Sequence, residues 1–222
     1  MADIPIIFSG PMVRALLDGR KTMTRRLAWK VAPEFHDGGV IYNAAGGQED
    51  YVEPSVTEGK PSPWQKVKPG DRLWVREAIC RDWEPTIYRA DEIAEYGRAT
   101  ADHNNRWTPS IHMPRKASRL TLAVTATKIE RAQNISEADA QAEGARQFPD
   151  IPVNTSFTYS PPCRWSMENP KGTDQCLSTA RFAFANYWIK LHGQPSWDEN
   201  PEVVALTFTV HKTNIDQLAK AA

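Results

Sequence analysis

Residues 119 to 131 constrain the fold most. Leu120, Leu122 and Val124 fall on one side of a period-two pattern and Thr121, Ala123 and Thr125 on the other, and the run continues to Ile129. Such a run is a long strand with one apolar face, and it predicts a central position in a sheet. Further alternating runs supply neighbours. Residues 72–77 place Leu73 and Val75 one way and Trp74 and Arg76 the other, after a Lys68-Pro69-Gly70-Asp71 turn in which proline fixes one dihedral and glycine supplies a positive φ. Residues 203–210 alternate in the same manner, residues 6–8 read as a short buried strand, and residues 86–90 as a strand forming a wide hairpin with 72–77.

Three helices are marked by their ends. Ser9 caps a helix with Pro11 in its first turn, Val13, Leu16 and Leu17 on its apolar face and Gly19 closing it. Ser136 with Asp139 three residues on reads as a capping box for a helix ending at Gly144, which puts Glu143 at the C-terminal end. An acid there opposes the helix dipole; a nearby cation would offset the cost, and the plainer alternative is a solvated Glu with no partner. Ser178 begins an amphipathic helix carrying Phe182, Phe184, Ala185, Trp188, Ile189 and Leu191 and ending at Gly193, an aromatic stripe that reads as core.

The order helix, several strands, two helices, strand, without β-α-β alternation or a Gly-rich phosphate loop, fits an α+β fold. The expected form is a small mixed or mostly antiparallel β-barrel decorated by helices. With 222 residues, 41% of them hydrophobic, one domain is expected. It carries loop insertions at about 28–66, 91–118 and 145–175, rich in Pro and Gly, with a short hairpin around Val40-Ile41-Tyr42 and a helical turn at 91–96.

Lys and Arg balance Asp and Glu at 27 each, so no global polyelectrolyte attraction is expected and any nucleic-acid contact is local. The charge is uneven along the chain. Six bases and one acid lie between Arg14 and Lys30, and no acid occurs from His103 to Ile129 among Arg106, Arg115, Lys116, Arg119 and Lys128. Three cysteines without CxxC spacing point to a reduced chain without a disulfide framework or zinc site, and no metal or cofactor is expected. The N-terminal apolar run is too short for a membrane span and lacks a preceding basic region, so a cytoplasmic protein without a membrane partner is expected.

The densest chemistry lies in Gly19-Arg20-Lys21-Thr22-Met23-Thr24-Arg25-Arg26, four cations and two hydroxyls at a predicted helix-to-strand junction. Read structurally, this is a helix C-cap followed by an ordinary strand. Read functionally, it offers phosphate-binding charge, hydrogen-bond donors and a nucleophile. A second set lies in the 106–115 loop, where Trp107 or His112 can stack on a base while Arg106 or Arg115 takes phosphate.

Taken together, Gly19-x-Lys21-x-x-Thr24-x-Arg26, then Lys68-Pro69-Gly70-Asp71-x-Leu73-x-Val75, then Ile135-Ser136-Glu137 leading to Glu143, resemble the ASCH family over about half the chain. The chain is similar to the longer members found in phage and prophage genomes. The resemblance implies a PUA-like β-barrel and recognition of RNA or a modified nucleoside. One compact branch of the family hydrolyses N(4)-acetylcytidine with a Lys, a Thr and a Glu. By motif these fall on Lys21, Thr24 and Glu143, with Gly19, Arg25, Arg26, Trp107, His112 and Arg115 as binding residues. Amide hydrolysis, a non-catalytic RNA-binding module and an ASCH-type ribonuclease all remain open, as does the oligomeric state.

Overall fold

The computed structural model describes residues 1–29, 40–42, 48–51, 60–80, 86–91, 107–150 and 164–218. Strand β1 (Asp3–Ile7) leads into helix α1 (Gly10–Leu17) and strand β2 (Met23–Leu27). Strands β3 (Arg72–Arg76) and β4 (Thr121–Arg131) follow, then helices α2 (Glu137–Ala142), α3 (Ala180–His192) and α4 (Gln194–Asp198), and strand β5 (Glu202–His211).

These five strands form one mixed sheet in the order β1-β3-β4-β5-β2. Strand β1 runs parallel to β3, with Asp3 opposite Arg72 and Ile7 opposite Arg76, and all other pairings are antiparallel. The ladder does not close: β1 and β2 stand at its two ends. The fold is therefore mixed α+β, and the sheet is open. The two ends nevertheless approach each other, because Arg26 on β2 donates from Nη2 to the Ile7 carbonyl of β1 at 2.6 Å.

Strand β4 is central only in its first half. It pairs with β3 from Thr121 to Ala123 and with β5 along its whole length, so Leu122 and Val124 are buried while Ile129 is 54% exposed. Val124 still exchanges backbone bonds with Gly70 and Asp71; past it no strand pairs with that side among the described residues, and the run carries Lys128, Glu130 and Arg131, charges of the kind that discourage edge-to-edge pairing. Strand β5 is covered on both faces, with Val203, Val204, Ala205 and Leu206 all buried. The main core joins Ile6, Leu16, Leu73, Leu122, Leu206 and Phe184, residues drawn from both ends of the chain.

The local signals translate closely. Gly70 has φ +92° and Asp71 donates its amide to the Lys68 carbonyl, as the turn requires. Ser136 accepts from the Asp139 amide at 3.0 Å as the α2 cap. Two expectations change. The strand at 86–90 is short, Ile87–Tyr88, and pairs with Ile79–Cys80 rather than with β3, which β1 and β4 already flank. Helix α3 is capped by Thr179, whose hydroxyl accepts from the Phe182 amide, and it is less amphipathic than its composition suggests. Phe184, Tyr187 and Trp188 are buried, whereas Phe182 and Leu191 are more than half exposed.

The short pair Val40–Tyr42 and Gln48–Tyr51 lies where a hairpin is expected. In the other insertions, Trp107–Thr108 pairs with Ile79–Cys80, and Arg146–Gln147 with Trp165–Ser166. Beyond Asp91 the turn at 91–96 lies outside the described residues, as do Arg106 and Cys163. No helix among the described residues is long and apolar enough to cross a membrane.

Candidate functional site

The junction between α1 and β2 is built by two glycines. Gly19, at φ +73°, bonds its amide to the Leu16 carbonyl and turns the chain out of α1 in the manner of a left-handed helix cap. Gly144, at φ +113°, does the same after α2, and a Cβ there would come within 3.2 Å of the Ala15 side chain and 3.7 Å of that of Lys21. The missing side chain lets the two helix ends meet. Lys21 then bonds its amide to the Ala15 carbonyl, and Thr22 bonds its amide to the Ala142 carbonyl at 2.8 Å.

Lys21 points inward from this junction and is 1% exposed. Its Nζ donates to Glu143 Oε2 at 2.7 Å and to the Glu143 backbone carbonyl at 2.9 Å. The ammonium thus answers both the carboxylate and one of the helix-end carbonyls that α2 leaves unpaired. Burial pushes the Lys21 pKa below its ordinary value, Glu143 opposes that shift, and the charges of Arg26 and Arg25 add to it.

Arg25 is held by three carboxylates. Nη2 donates to Glu130 at 2.6 Å and to Asp139 at 2.7 Å, and Nη1 to Glu143 at 3.3 Å. Lys128 bridges Glu130 and Asp139 on the outer side. Burial raises the Asp139 carboxyl, but hydrogen bonds from Lys128 and Arg25 outweigh it and hold the group below its ordinary value. Three cations and three carboxylates therefore close on each other, with Arg25 between Glu130, Asp139 and Glu143.

Arg26 is different. Besides donating to Ile7, its guanidinium lies over the rings of Phe8 at 5.0 Å and Trp64 at 5.7 Å, and its buried Nε has no hydrogen-bond partner. Among the described residues no carboxylate lies within 4.0 Å of it. Burial lowers its pKa, with Glu143 and Tyr187 opposing. Lys21 Nζ rests against the same Phe8 ring at 5.5 Å.

Thr24 is 3% exposed and pairs with Leu206 on β5, so its side chain leaves β2 on the side opposite Met23 and Arg25. Its hydroxyl has no hydrogen-bond partner among the described residues. Phe8, Ser9, Trp64 and Tyr187 join this region without any sequence signal. The Ser9 and Tyr187 hydroxyls lie 2.7 Å apart, and Tyr187 is raised by burial.

The second predicted set divides. Arg115 donates to Asp3, at the start of β1, and to Asp216 near the other end of the chain. Asp3 is four strand residues, roughly 13 Å, from the Ile7 carbonyl that receives Arg26. Trp107 is half-buried on its short strand with Arg89 over its ring at 5.8 Å. His112 is exposed in the turn at 110–112, whose Ile111 carbonyl accepts from Arg76, the cross-strand partner of Ile7. The structure thus brings Lys21, Arg25 and Glu143 together with Gly19 behind them and Arg26 beside them, and places Arg115 elsewhere.

A further buried ion pair escaped the sequence. Arg119 binds Glu77 and Asp91 through paired hydrogen bonds, 2.6 to 3.0 Å long, with Tyr88 beneath it. Glu77 is 2% exposed, and this cluster braces the end of β3. Among the described residues no group of three or more His, Cys, Asp or Glu can hold a metal ion. Comparison with protein-family models, with curated proteins and with solved structures returns no match for the chain.

Proposed function

We propose that this protein recognises RNA or a modified nucleoside in an ASCH-type pocket and hydrolyses an N4-acylated cytidine there. The observation that carries the reading is the buried contact of Lys21 with Glu143 at 2.7 Å, two residues far apart in sequence that the motif resemblance pairs. On the same reading the open sheet is the larger part of a PUA-like barrel, its seam spanned by Arg26 and Ile7.

The reaction is amide hydrolysis. Thr24 Oγ1 gives its proton to neutral Lys21 Nζ and attacks the acyl carbon, the tetrahedral intermediate collapses, and the cytosine amine leaves with the proton from Lys21. Water then cleaves the threonine ester, and Lys21 relays its proton back to Thr24. Burial and the two neighbouring arginines favour the neutral amine this role needs, and Glu143 orients it. Arg26 Nε is a donor suited to the developing oxyanion.

A binding role without chemistry is favoured by one observation: Lys21 and Glu143 already satisfy each other. Chromatography of N4-acetylcytidine incubated with the protein separates the two. Release of cytidine that disappears in Lys21→Met and Glu143→Gln supports hydrolysis. Retention of the acetylated nucleoside without turnover supports binding alone, and neither turnover nor binding by the folded protein overturns both.

A further inference from the structure

Close to the same junction, but lined by none of Lys21, Thr24 or Glu143, lies a cleft of about 180 Å³. Arg14, Arg20 and Arg146 line it together with Asp18, Glu168 and Asn169. Its three guanidinium groups come from α1, from the turn after α1 and from the segment after α2.

The two acids are engaged. Asp18 accepts from Arg20 at 2.9 Å and 3.2 Å, and Glu168 accepts from Lys190. Arg20 also donates to the Gly144 carbonyl at 2.8 Å, which fixes its position against the α2 end. Arg14 and Arg146 have no carboxylate within 4.0 Å among the described residues. Arg14 Nη1 donates to the Ala90 carbonyl at 3.0 Å, and Arg146 Nη2 to Asn169 Oδ1 at 3.0 Å, with the Arg146 guanidinium over the Phe148 ring at 4.3 Å. Each therefore keeps donors beyond those neutral contacts. Burial lowers the Arg146 pKa and the charge of Arg20 lowers it further, with Asp18 opposing.

We propose that this cleft is an anion site for a phosphate group, held by Arg14 and Arg146 with Arg20 alongside. Guanidinium forks match phosphate oxygens in pairs, and clustered arginines with only part of their charge neutralised by neighbouring acids give a local field that attracts such a group. The site is separate from the chemistry proposed for Lys21 and does not depend on it. The phosphate can belong to a free ester or to an RNA backbone, and the charge chemistry is the same.

Titration calorimetry of the full chain at low salt tests this with inorganic phosphate, cytidine 5′-monophosphate and a short single-stranded RNA as probes. The expected result is binding of at least one probe that weakens about tenfold or more in Arg14→Gln and in Arg146→Gln, each of which loses a charged hydrogen-bond donor. The melting temperature should hold, and Asp18→Asn, which releases Arg20, should tighten binding. Binding of the monophosphate at least as tight as that of RNA assigns a free ester; tighter RNA binding with the same two dependences assigns the backbone. Binding of none of the probes, or affinity unchanged in the Arg14→Gln/Arg146→Gln double variant, overturns the proposal. If that double variant unfolds, Arg146→Lys decides, since it keeps the charge and loses the fork: reduced affinity supports the site and unchanged affinity overturns it.

Discussion

Lys21 and Glu143 are both buried, and Glu143 is the one carboxylate that Lys21 meets among the described residues, so removing Glu143 strands the lysine, while removing Lys21 leaves Glu143 with only the longer contact from Arg25. Lys21→Met should cost about 3–5 kcal/mol in urea unfolding, and the double variant Lys21→Met/Glu143→Gln should lose less than the sum of the single changes. Additive losses would mean that the pair does not act as a unit. Gly144 makes a second test at this scale. Gly144→Ala meets Ala15 at 3.2 Å in a backbone region that side chains avoid, whereas Gly70→Ala, at φ +92°, meets nothing within 4 Å. The first should lower stability by about 1–3 kcal/mol and the second by about 1 kcal/mol, measured as shifts in the denaturation midpoint. The place of Glu143 was legible because Ser136 and Gly144 bracket its helix, but a solvated acid fits that place as well, and only the motif resemblance paired it with Lys21. The carboxylates around Arg25 were not legible, since Glu130 and Asp139 lie on other elements: the β2-β5-β4 register brings Glu130 within reach, and the packing of α2 against β2 brings Asp139.

At the scale of elements, signals that lie within a few residues survived and those that depend on a partner did not. The Lys68–Asp71 turn and the Ser136 cap are local hydrogen-bond arrangements, and both are present. The span of β4 was legible too, but not that its second half has no strand neighbour on the β3 side among the described residues, because nothing within residues 121–131 reports how short β3 is. Asp71 links a turn to a strand edge, accepting from the amides of Ala2 at 2.7 Å and Lys68 at 3.0 Å. These bonds hold its carboxyl below the ordinary value of 3.8. The stability it contributes is complete above that value and is lost as the pH falls through the lower folded-state value. Acid titration followed by circular dichroism should therefore show a stability loss below about pH 3.8, and Asp71→Asn should remove part of that slope while lowering stability at neutral pH. An unchanged acid limb in Asp71→Asn would refute the assignment.

At the scale of the molecule, the α+β class was readable from the order of elements, but the strand order was not. A parallel β1–β3 pair beside three antiparallel pairings is a product of tertiary packing, and no period within β1 or β3 specifies it. The same holds for the approach of the two ends of the open sheet, where Arg26 of β2 reaches the Ile7 carbonyl of β1. Arg26→Met removes that link and should speed hydrogen exchange at the Phe8 amide, which bonds to the Arg76 carbonyl at the end of β1. The Leu122 amide in the middle of the sheet should be unaffected. Equal protection of Phe8 in both proteins would show that this approach does not need the arginine.

The register of β2 has a consequence for how the protein comes into being. Met23–Leu27 finds its ladder partner only in Val203–Thr207, and Lys21 finds Glu143 only after most of the intervening chain exists. At about 5–20 residues per second, the ribosome delivers that last strand roughly 10–40 s after β2. For that interval the two threonines and four cations of the junction are in the open, without ladder partner or buried carboxylate. Such long-range closure is slow to fold, and the nascent chain is exposed to ligands and chaperones at a segment whose Lys21, Thr24 and Arg25 the finished fold buries.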